Sequence, residues 1–511
     1  FPFLEGAFFP DMDALHGLIY GFGVALTGSN LLACFLGVLV GTIVGVLPGI
    51  GPIGAMALLI PSTYSLGPTS ALIMLSGIFY GAMYGGSTTS ILMNVPGEAA
   101  SVVTTIDGYQ LARKGRGGAA LAIAAVGSFV AGTVGLVGLM LFAPPLASLA
   151  LELGPPEYFS LTLLGLIFLS RIGSASALKS FLMVGFGLLL GTVGMDSISG
   201  VPRFTFGNLE LGQGVELVPV AMGLYGIGEV LIIAERITGI PDLIKVKFRE
   251  LFPTRAEWKK AFPPMIRGTG VGFFLGLIPG PAAILSTFVS YAMEKKLSKH
   301  PEEFGQGAIE GVAGPESANN SATAGSMVPL LALGIPFAPP TALLLGALTI
   351  HGVQPGPLLM SKHPEIFWGV VASMYIGNAV LLVLNLPLVG VFASILRLPQ
   401  HILMGFILLL CLVGTYSINN SFLDIYILLG MGVVGYILRK LDFDMAPLIL
   451  AVVLGPILEK TLRQSLFYAR GDAWAIFGRP YTAFLLSVGV VLIILPPLIR
   501  RLRRIRRTPA E

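Results

Sequence analysis

Apolar residues in this chain come in long blocks, without the narrow stripe of a surface helix or the alternation of a half-buried strand. The blocks fall at about 30–47, 50–60, 70–95, 119–143, 158–170, 175–194, 216–234, 264–292, 322–350, 366–393, 400–418, 422–438, 443–458 and 481–499. A helix that crosses a bilayer needs roughly 20 apolar residues. Most blocks therefore predict spanning helices, and the shortest predict re-entrant segments. The expected fold class is an all-α polytopic membrane protein with about 11–12 transmembrane helices plus re-entrant or broken helices.

Two blocks change character midway. Within 80–98, "YGAMYGGSTTSILMNVPGE", an apolar run passes into glycines, four hydroxyls and an asparagine, then meets Pro96-Gly97. A second stretch, "NNSATAGSMVPLLALGIP" (319–336), has the same order and ends on Pro336. Upstream of each lies another matched pair, "GVLPGIGPIGAMALL" (45–59) and "GLIPGPAAILSTFVS" (276–290). Pro48-Gly49 and Pro279-Gly280 are 231 residues apart, while Pro96 and Pro336 are 240 apart. Each copy reads as an apolar helix, a Pro-Gly break, an apolar arm, and a helix interrupted at its Ser/Thr/Asn run.

Composition agrees with a membrane location. The 511 residues are 54% hydrophobic and 11% charged, with mean hydropathy +0.85, whereas a soluble domain carries about 25% charged residues. The 66 glycines and 36 prolines lie inside the apolar blocks, as expected where helices pack closely or break. Cys34 and Cys411 sit in apolar runs and read as inert core thiols. The opening "FPFLEGAFFPDMD" is acidic, so no cleavable signal peptide is expected.

Basic residues cluster at Arg113, Lys114 and Arg116, between Lys245 and Arg267, and in "RRLRRIRR" (500–507). Positive loops stay cytoplasmic, which puts all three clusters, and the C-terminus, on that side. With four helices between the two copies and one net crossing per copy, the copies are two inverted-topology repeats. Inverted repeats with matched interruptions mark a secondary transporter whose site lies at the repeat interface.

A broken helix at depth frees N–H donors that suit a carboxylate and C=O acceptors that suit Na⁺. On this reasoning Ser87, Thr88, Thr89, Asn94, Asn320, Ser321 and Thr323 are candidate substrate-binding residues. Gly86, Ser90, Asn319, Asn320 and Gly334 are candidate cation ligands, for Na⁺ alone among metals. Pro48, Gly49, Pro96, Gly97, Pro279, Gly280 and Pro336 are the breaks or hinges. The bland alternative is that each hydroxyl bonds back to its own helix or joins two helices.

Among ionisable residues, Glu229 reads as a relay or as a paired structural group. Glu98 and Asp107 read as solvated vestibule residues, and Glu316 as a group that tunes cation affinity or caps a segment. No H-E-x-x-H or phosphate-loop motif occurs and the five histidines are scattered, so no enzyme is expected and no catalytic residue is assigned. A solute channel with a broken-helix filter, or an intramembrane enzyme, stays as the alternative.

Three stretches, "GTIVGVLPGIGP" (41–52), "YGAMYGGSTTSILMNVPGEAASVVTTIDGYQLARKG" (80–115) and "LALGIPFAPPTALLLGALTIHGVQPGP" (331–357), resemble the large membrane subunit of the tripartite tricarboxylate transporters. The resemblance runs over nearly the whole chain. It implies a subunit of the bacterial inner membrane that imports citrate or another carboxylate, coupled to Na⁺ or H⁺, without an organic cofactor. It also implies two partners, a small four-helix membrane subunit and a periplasmic solute-binding protein, and no nucleic acid. A dimer is one option for the oligomeric state. Phe337 departs from the small residue that the first copy's "VPGEA" leads one to expect. The expected division is an N-terminal region 1–40, a first core repeat 41–115, scaffold helices and a basic loop 116–262, a second core repeat 263–357, and C-terminal scaffold helices 358–511. The core is expected to move against the scaffold in an elevator-like way.

Overall fold

The computed structural model describes residues 14–47, 49–172, 176–196, 198–235, 244, 246, 248–395 and 400–505. Pro48, Lys245, Lys247 and the last arginines of the tail lie outside the described residues, as do the side chains of 495–505.

Nearly every apolar block is helical. The first half of the chain contains α1 (Ala14–Ala25), α2 (Gly28–Val46), α3 (Gly51–Leu59), α4 (Pro68–Met93), α5 (Val102–Leu111), α6 (Gly117–Glu152), α7 (Pro155–Ile172) and α8 (Ala177–Gly191). A two-residue hairpin follows, β1 (Gly194–Met195) and β2 (Pro202–Arg203), paired antiparallel. Then come α9 (Leu217–Ala221), a π-helical turn, α10 (Gly228–Glu235), α11 (Arg255–Gly276), α12 (Ala282–Leu297), α13 (Glu310–Leu333), α14 (Pro339–Ile350) and α15 (Leu359–Lys362). The C-terminal part holds α16 (Pro364–Asn385), α17 (Val389–Ile395), α18 (Gln400–Asn419), α19 (Phe422–Lys440), α20 (Ala446–Tyr468) and α21 (Pro480–Ile505).

Several blocks prove to be helix pairs. The 264–292 block divides into α11 and α12 at Pro279-Gly280, and 322–350 divides into α13 and α14 at Gly334–Pro336. Among the described residues, six helical runs are long and apolar enough to cross a membrane: Gly28–Val46, Ala99–Glu152, Leu217–Glu235, Pro364–Asn385, Ile402–Asn419 and Phe422–Lys440. Their outer faces are greasy. Phe406 and Val413 on α18, and Tyr426 and Val433 on α19, are more than half exposed, as suits helices solvated by lipid. The chain is a multi-pass helical membrane protein.

By internal contacts one compact unit takes 1–148, 218–278 and 282–437, and a second takes 149–217, 279–281 and 438–511. In the first, α4 and α13 form the interior. Residues 70–92 of α4 and every residue of α13 after Glu310 are buried.

Glycines set how these two helices are held. A Cβ on Gly37, Gly41 or Gly45 of α2 would meet the carbonyl oxygens of Met74, Ile78 and Ala82 at 2.3–2.6 Å. The order of these pairs makes α2 and α4 parallel. Gly268, Gly272 and Gly276 of α11 meet Gly314, Ala318 and Ala322 of α13 in the same way, at 2.1–2.5 Å, again in parallel. In lipid there is no hydrophobic drive between helices, and close backbone approach through small residues is what holds them together.

The second unit is built from α7, α8, α20 and α21. Arg479 pairs with buried Glu157 at 2.6 Å, and Thr482 donates to the same carboxylate at 3.1 Å. The hairpin is pinned to α20 by Arg203, which bonds Glu459 at 2.9 Å, and by Arg463, which bonds Asp196 at 2.9 Å.

Candidate functional site

The hydroxyl and amide runs sit in unbroken helix. α4 continues through Ser87–Ser90 to Met93, and α13 continues through Asn319–Ser326 to Leu333, accommodating Pro315 and Pro329. This corrects the expectation that the helices open at the runs. Ser90 Oγ donates to Gly86 O at 2.9 Å and Thr323 Oγ1 to Asn319 O at 3.3 Å, so these hydroxyls bond back one turn and leave the helix intact.

The helix ends lie further on. α4 stops at Asn94, left-handed at φ 58°, and α13 at Gly334, left-handed at φ 73°. Both stops fall two residues before the matched prolines, Pro96 and Pro336, which prevent the helix from resuming. New helix then starts at matched capping turns. Ser101 Oγ donates to Glu98 O at 2.8 Å and receives Glu98 N at 3.3 Å, and Thr341 Oγ1 makes the same two bonds to Ala338 at 2.7 and 3.1 Å. Asn94 is exposed, a terminus residue set apart from the hydroxyl run.

The glycines named as hinges act mainly as points of close approach. A Cβ on Gly97 would lie 2.1 Å from Gly45 O and 2.6 Å from Gly86 Cα, and one on Gly86 would lie 2.8 Å from Glu98 Cγ. The 96–98 turn is thereby folded onto α4. Gly49, at φ 102°, faces Glu229, whose Oε1 would be 1.9 Å from a Cβ there. Glu229, 5% exposed, thus sits beneath the first break. Gly280, at φ 138°, has open space around it.

The two runs meet. Ser87 Oγ donates to Glu316 at 2.5 Å, and farther along Tyr84 and Tyr80 share a cavity with Asn320, Thr323 and Ala324. Ascending numbers on α4 face descending numbers on α13, so the helices are antiparallel. Two small cavities flank Tyr84. One of about 10 Å³ is lined by Ser87, Thr88, Ser128 and Asn385 among others, and one of about 20 Å³ by Asn320, Thr323 and Asn378 among others. Each has room for about one water, so a larger solute needs this region to open. Asn320 Nδ2 donates to Ser128 Oγ at 2.7 Å, and Asn378 accepts from Tyr84 and donates to Phe129 O at 2.8 Å.

The remaining named side chains divide. Thr89 Oγ1 donates to Val46 O at 2.7 Å, satisfying an orphan carbonyl where α2 ends, so this hydroxyl is already engaged. Among the described residues, buried Ser321 Oγ has no partner, and neither does Asn319 Oδ1. Phe337 is buried and lines neither cavity.

Two of the acids sit differently from the expectation. Glu98 and Asp107, read as solvated, are 7% and 0% exposed. Asp107 Oδ1 accepts from the N–H groups of Gly305, Gly307 and Ala308 at 2.7–2.8 Å, and its Oδ2 from Tyr291 at 2.9 Å. It clamps the loop that leads into α13. Glu316 accepts from Ser87 and from Thr104 of α5, and Glu98 from Ala100 N at 2.6 Å and Asn319 Nδ2 at 3.2 Å. The signal available in the sequence was position. Glu98 precedes a matched cap, and Glu316 lies one turn before the NNS run.

Two of the basic clusters, Arg113–Arg116 and the start of α11, converge on one region. Arg116 pairs with Glu257 at 2.5 Å, Lys114 Nζ donates to Gln306 O at 2.6 Å, and Lys260 pairs with Glu303 at 3.2 Å. Arginine 116 and its neighbours, the start of α11 and the loop before α13 therefore share one end of this unit.

Residues 31–450 match the Tripartite tricarboxylate transporter TctA family. An uncharacterized 52.8 kDa protein in the TAR-I ttuC' 3' region of Agrobacterium vitis is 49% identical over 498 residues, covering 96% of this chain and 98% of the relative. An uncharacterized protein in the TAR-II ttuC' 3' region of the same organism is 48% identical over 224 residues, 44% of this chain and 93% of the relative. No solved structure matches the chain. The family match spans most of the 511 residues, and the chain belongs to the tripartite tricarboxylate transporter TctA family.

Proposed function

We propose that this chain is the large, translocating membrane subunit of a cation-coupled carboxylate importer. Its substrate is citrate or a related carboxylate, delivered by a periplasmic binding protein, and a small membrane subunit completes the complex. It carries no catalytic chemistry. The coupling ion is Na⁺ or H⁺.

The observation that carries this reading is the antiparallel meeting of α4 and α13, with Ser87 on one bonded to Glu316 on the other. The glycine seams repeat at an offset of 231 residues on α2 and α11 and of 240 on α4 and α13. These are the offsets of the Pro-Gly breaks and of the terminal prolines. Such doubling supports two inverted repeats, 41–115 and 263–357, with the site between them. The hydroxyl and amide donors around Ser87, Thr88, Ser128 and Asn320 suit a carboxylate. The flanking segments 1–40, 116–262 and 358–511 serve as scaffold, and elevator-like movement of the core past them opens the cavities. A channel has no need of doubled, inverted halves closed down to single-water spaces.

Uptake of labelled citrate into proteoliposomes holding this chain, its small subunit and its binding protein tests the reading. Accumulation driven by an inward Na⁺ or H⁺ gradient, and reduced by Ser87→Ala together with Asn320→Ala, is expected. Flux that ignores both gradients would point to the channel instead.

A further inference from the structure

Glu98 and Glu316 are buried acids at the meeting of the two repeats, 7% and 1% exposed, and among the described residues neither has an ion pair. A buried carboxylate without a positive partner is among the costliest groups a protein can hold. Here two lie together. Asn319, one turn after Glu316 on α13, bonds Glu98 through its amide nitrogen at 3.2 Å, while Thr104, two turns after Glu98, bonds Glu316. All four carboxylate oxygens already accept a hydrogen bond, so what the pair lacks is positive charge.

A second feature points the same way. Asn319 is fully buried, and among the described residues its Oδ1 has no partner although its other amide atom is on Glu98. An unpaired hard neutral oxygen on a side chain that reaches Glu98, together with Glu316 and its two hydroxyl partners, supplies the donor types a small monovalent cation takes. We propose that Glu98, Glu316 and Asn319, supported by Ser87 and Thr104, form the coupling-cation site. This rests on the transporter reading and names its ion site. Of the ligands expected from sequence, Asn319 is retained, while Gly86 becomes a packing contact of Glu98.

The location supplies a reason for coupling. Ser87 both donates to Glu316 and lines the cavity that holds Thr88 and Ser128. With the pair empty, two negative charges face any anion entering there. With a cation bound, much of that repulsion is cancelled, so cation and carboxylate favour one another's binding.

The test needs no carboxylate. Thermal unfolding of the full-length chain in detergent is followed as NaCl replaces choline chloride at constant ionic strength, and again as pH is lowered. Among the described residues, the other titratable group that interacts with Glu316 is Tyr84. A saturable, Na⁺-specific rise in the unfolding temperature assigns Na⁺. A rise on acidification with no Na⁺ response assigns H⁺. Either is expected to disappear in Glu98→Gln and Glu316→Gln and to persist in Glu459→Gln, which lies in the second unit. Thr104→Ala should shift the midpoint by about tenfold, as losing a supporting bond does elsewhere. A response that survives both glutamine variants, or a wild-type chain that answers to neither ion, overturns the site. If the glutamine variants fail to fold, an unshifted midpoint in Thr104→Ala does so. Failure here leaves carboxylate transport standing, whereas an intact ion response without carboxylate uptake counts against the transporter reading alone.

Discussion

At the scale of single residues, the side chains that matter are those whose partners come from distant parts of the chain. Asp107 holds three backbone N–H groups and a tyrosine hydroxyl from residues 291–308. Removing the acceptor strands buried donors, at about 1–3 kcal/mol for each one left unsatisfied. Asp107→Ala is therefore expected to lower stability by at least about 2 kcal/mol, while Asp107→Asn, which keeps one acceptor oxygen, costs less. Thermal unfolding of the two variants in detergent checks both size and order. Nothing local in "TTIDGYQ" marks this aspartate as buried, since its partners lie about 200 positions away. Glu98 was illegible for the same reason. Ser87 and Asn320, in contrast, stand out in the sequence as polar groups inside an apolar block, and both are buried with partners on other helices, Glu316 and Ser128.

At the scale of elements, periodic features were legible and helix continuity was not. The Pro-Gly pairs marked real helix ends at Gly49 and Gly280, and the spacing of α2, α4, α11 and α13 followed from them. The serine and threonine runs were misread as breaks, because a hydroxyl can satisfy itself on the preceding turn without opening the helix, as Ser90 does on Gly86. The glycine seams give this scale a sharp test. A side chain at Gly41 would strike Ile78 O at 2.6 Å, and one at Gly272 would strike Ala318 O at 2.1 Å. Gly41→Val and Gly272→Val should each destabilise by about 1–3 kcal/mol or more, read as loss of folded protein on detergent size-exclusion. Gly270→Val, with open space around it, should be tolerated. In the second unit the hairpin has its own pH signature. Asp196 is held well below the usual carboxylate range by the N–H groups of Ser199 and Ile198 and by Arg203. Its folded value is depressed, so its contribution is complete above the ordinary value of 3.8 and is lost as pH falls through the lower folded value. Protection against amide exchange at 194–196 and 198–203, corrected for the intrinsic rate at each pH, should hold down to about pH 4 and fall below it, and Asp196→Asn should abolish that dependence.

At the scale of the molecule, the question is whether the doubled seams are inverted across a bilayer. The loop before α4 and the loop before α13 occupy equivalent places in the two copies, because each leads into the helix that runs parallel to its glycine-bearing partner. The loop before α13 lies with Arg116, Lys114 and the start of α11, where positive charge gathers. Positive charge is retained in the cytoplasm, so that loop is expected inside. Since α4 and α13 run antiparallel, the loop before α4 is expected outside. Both native thiols, Cys34 and Cys411, are buried, so single introduced cysteines can be labelled against a silent background. Ser65 and Lys299 are exposed positions in the two loops. With a membrane-impermeant maleimide, Ser65→Cys should react in intact spheroplasts and Lys299→Cys only after the membrane is opened. Labelling of both from the same side would remove the inverted arrangement, and with it the argument that one site is presented alternately to the two faces of the membrane.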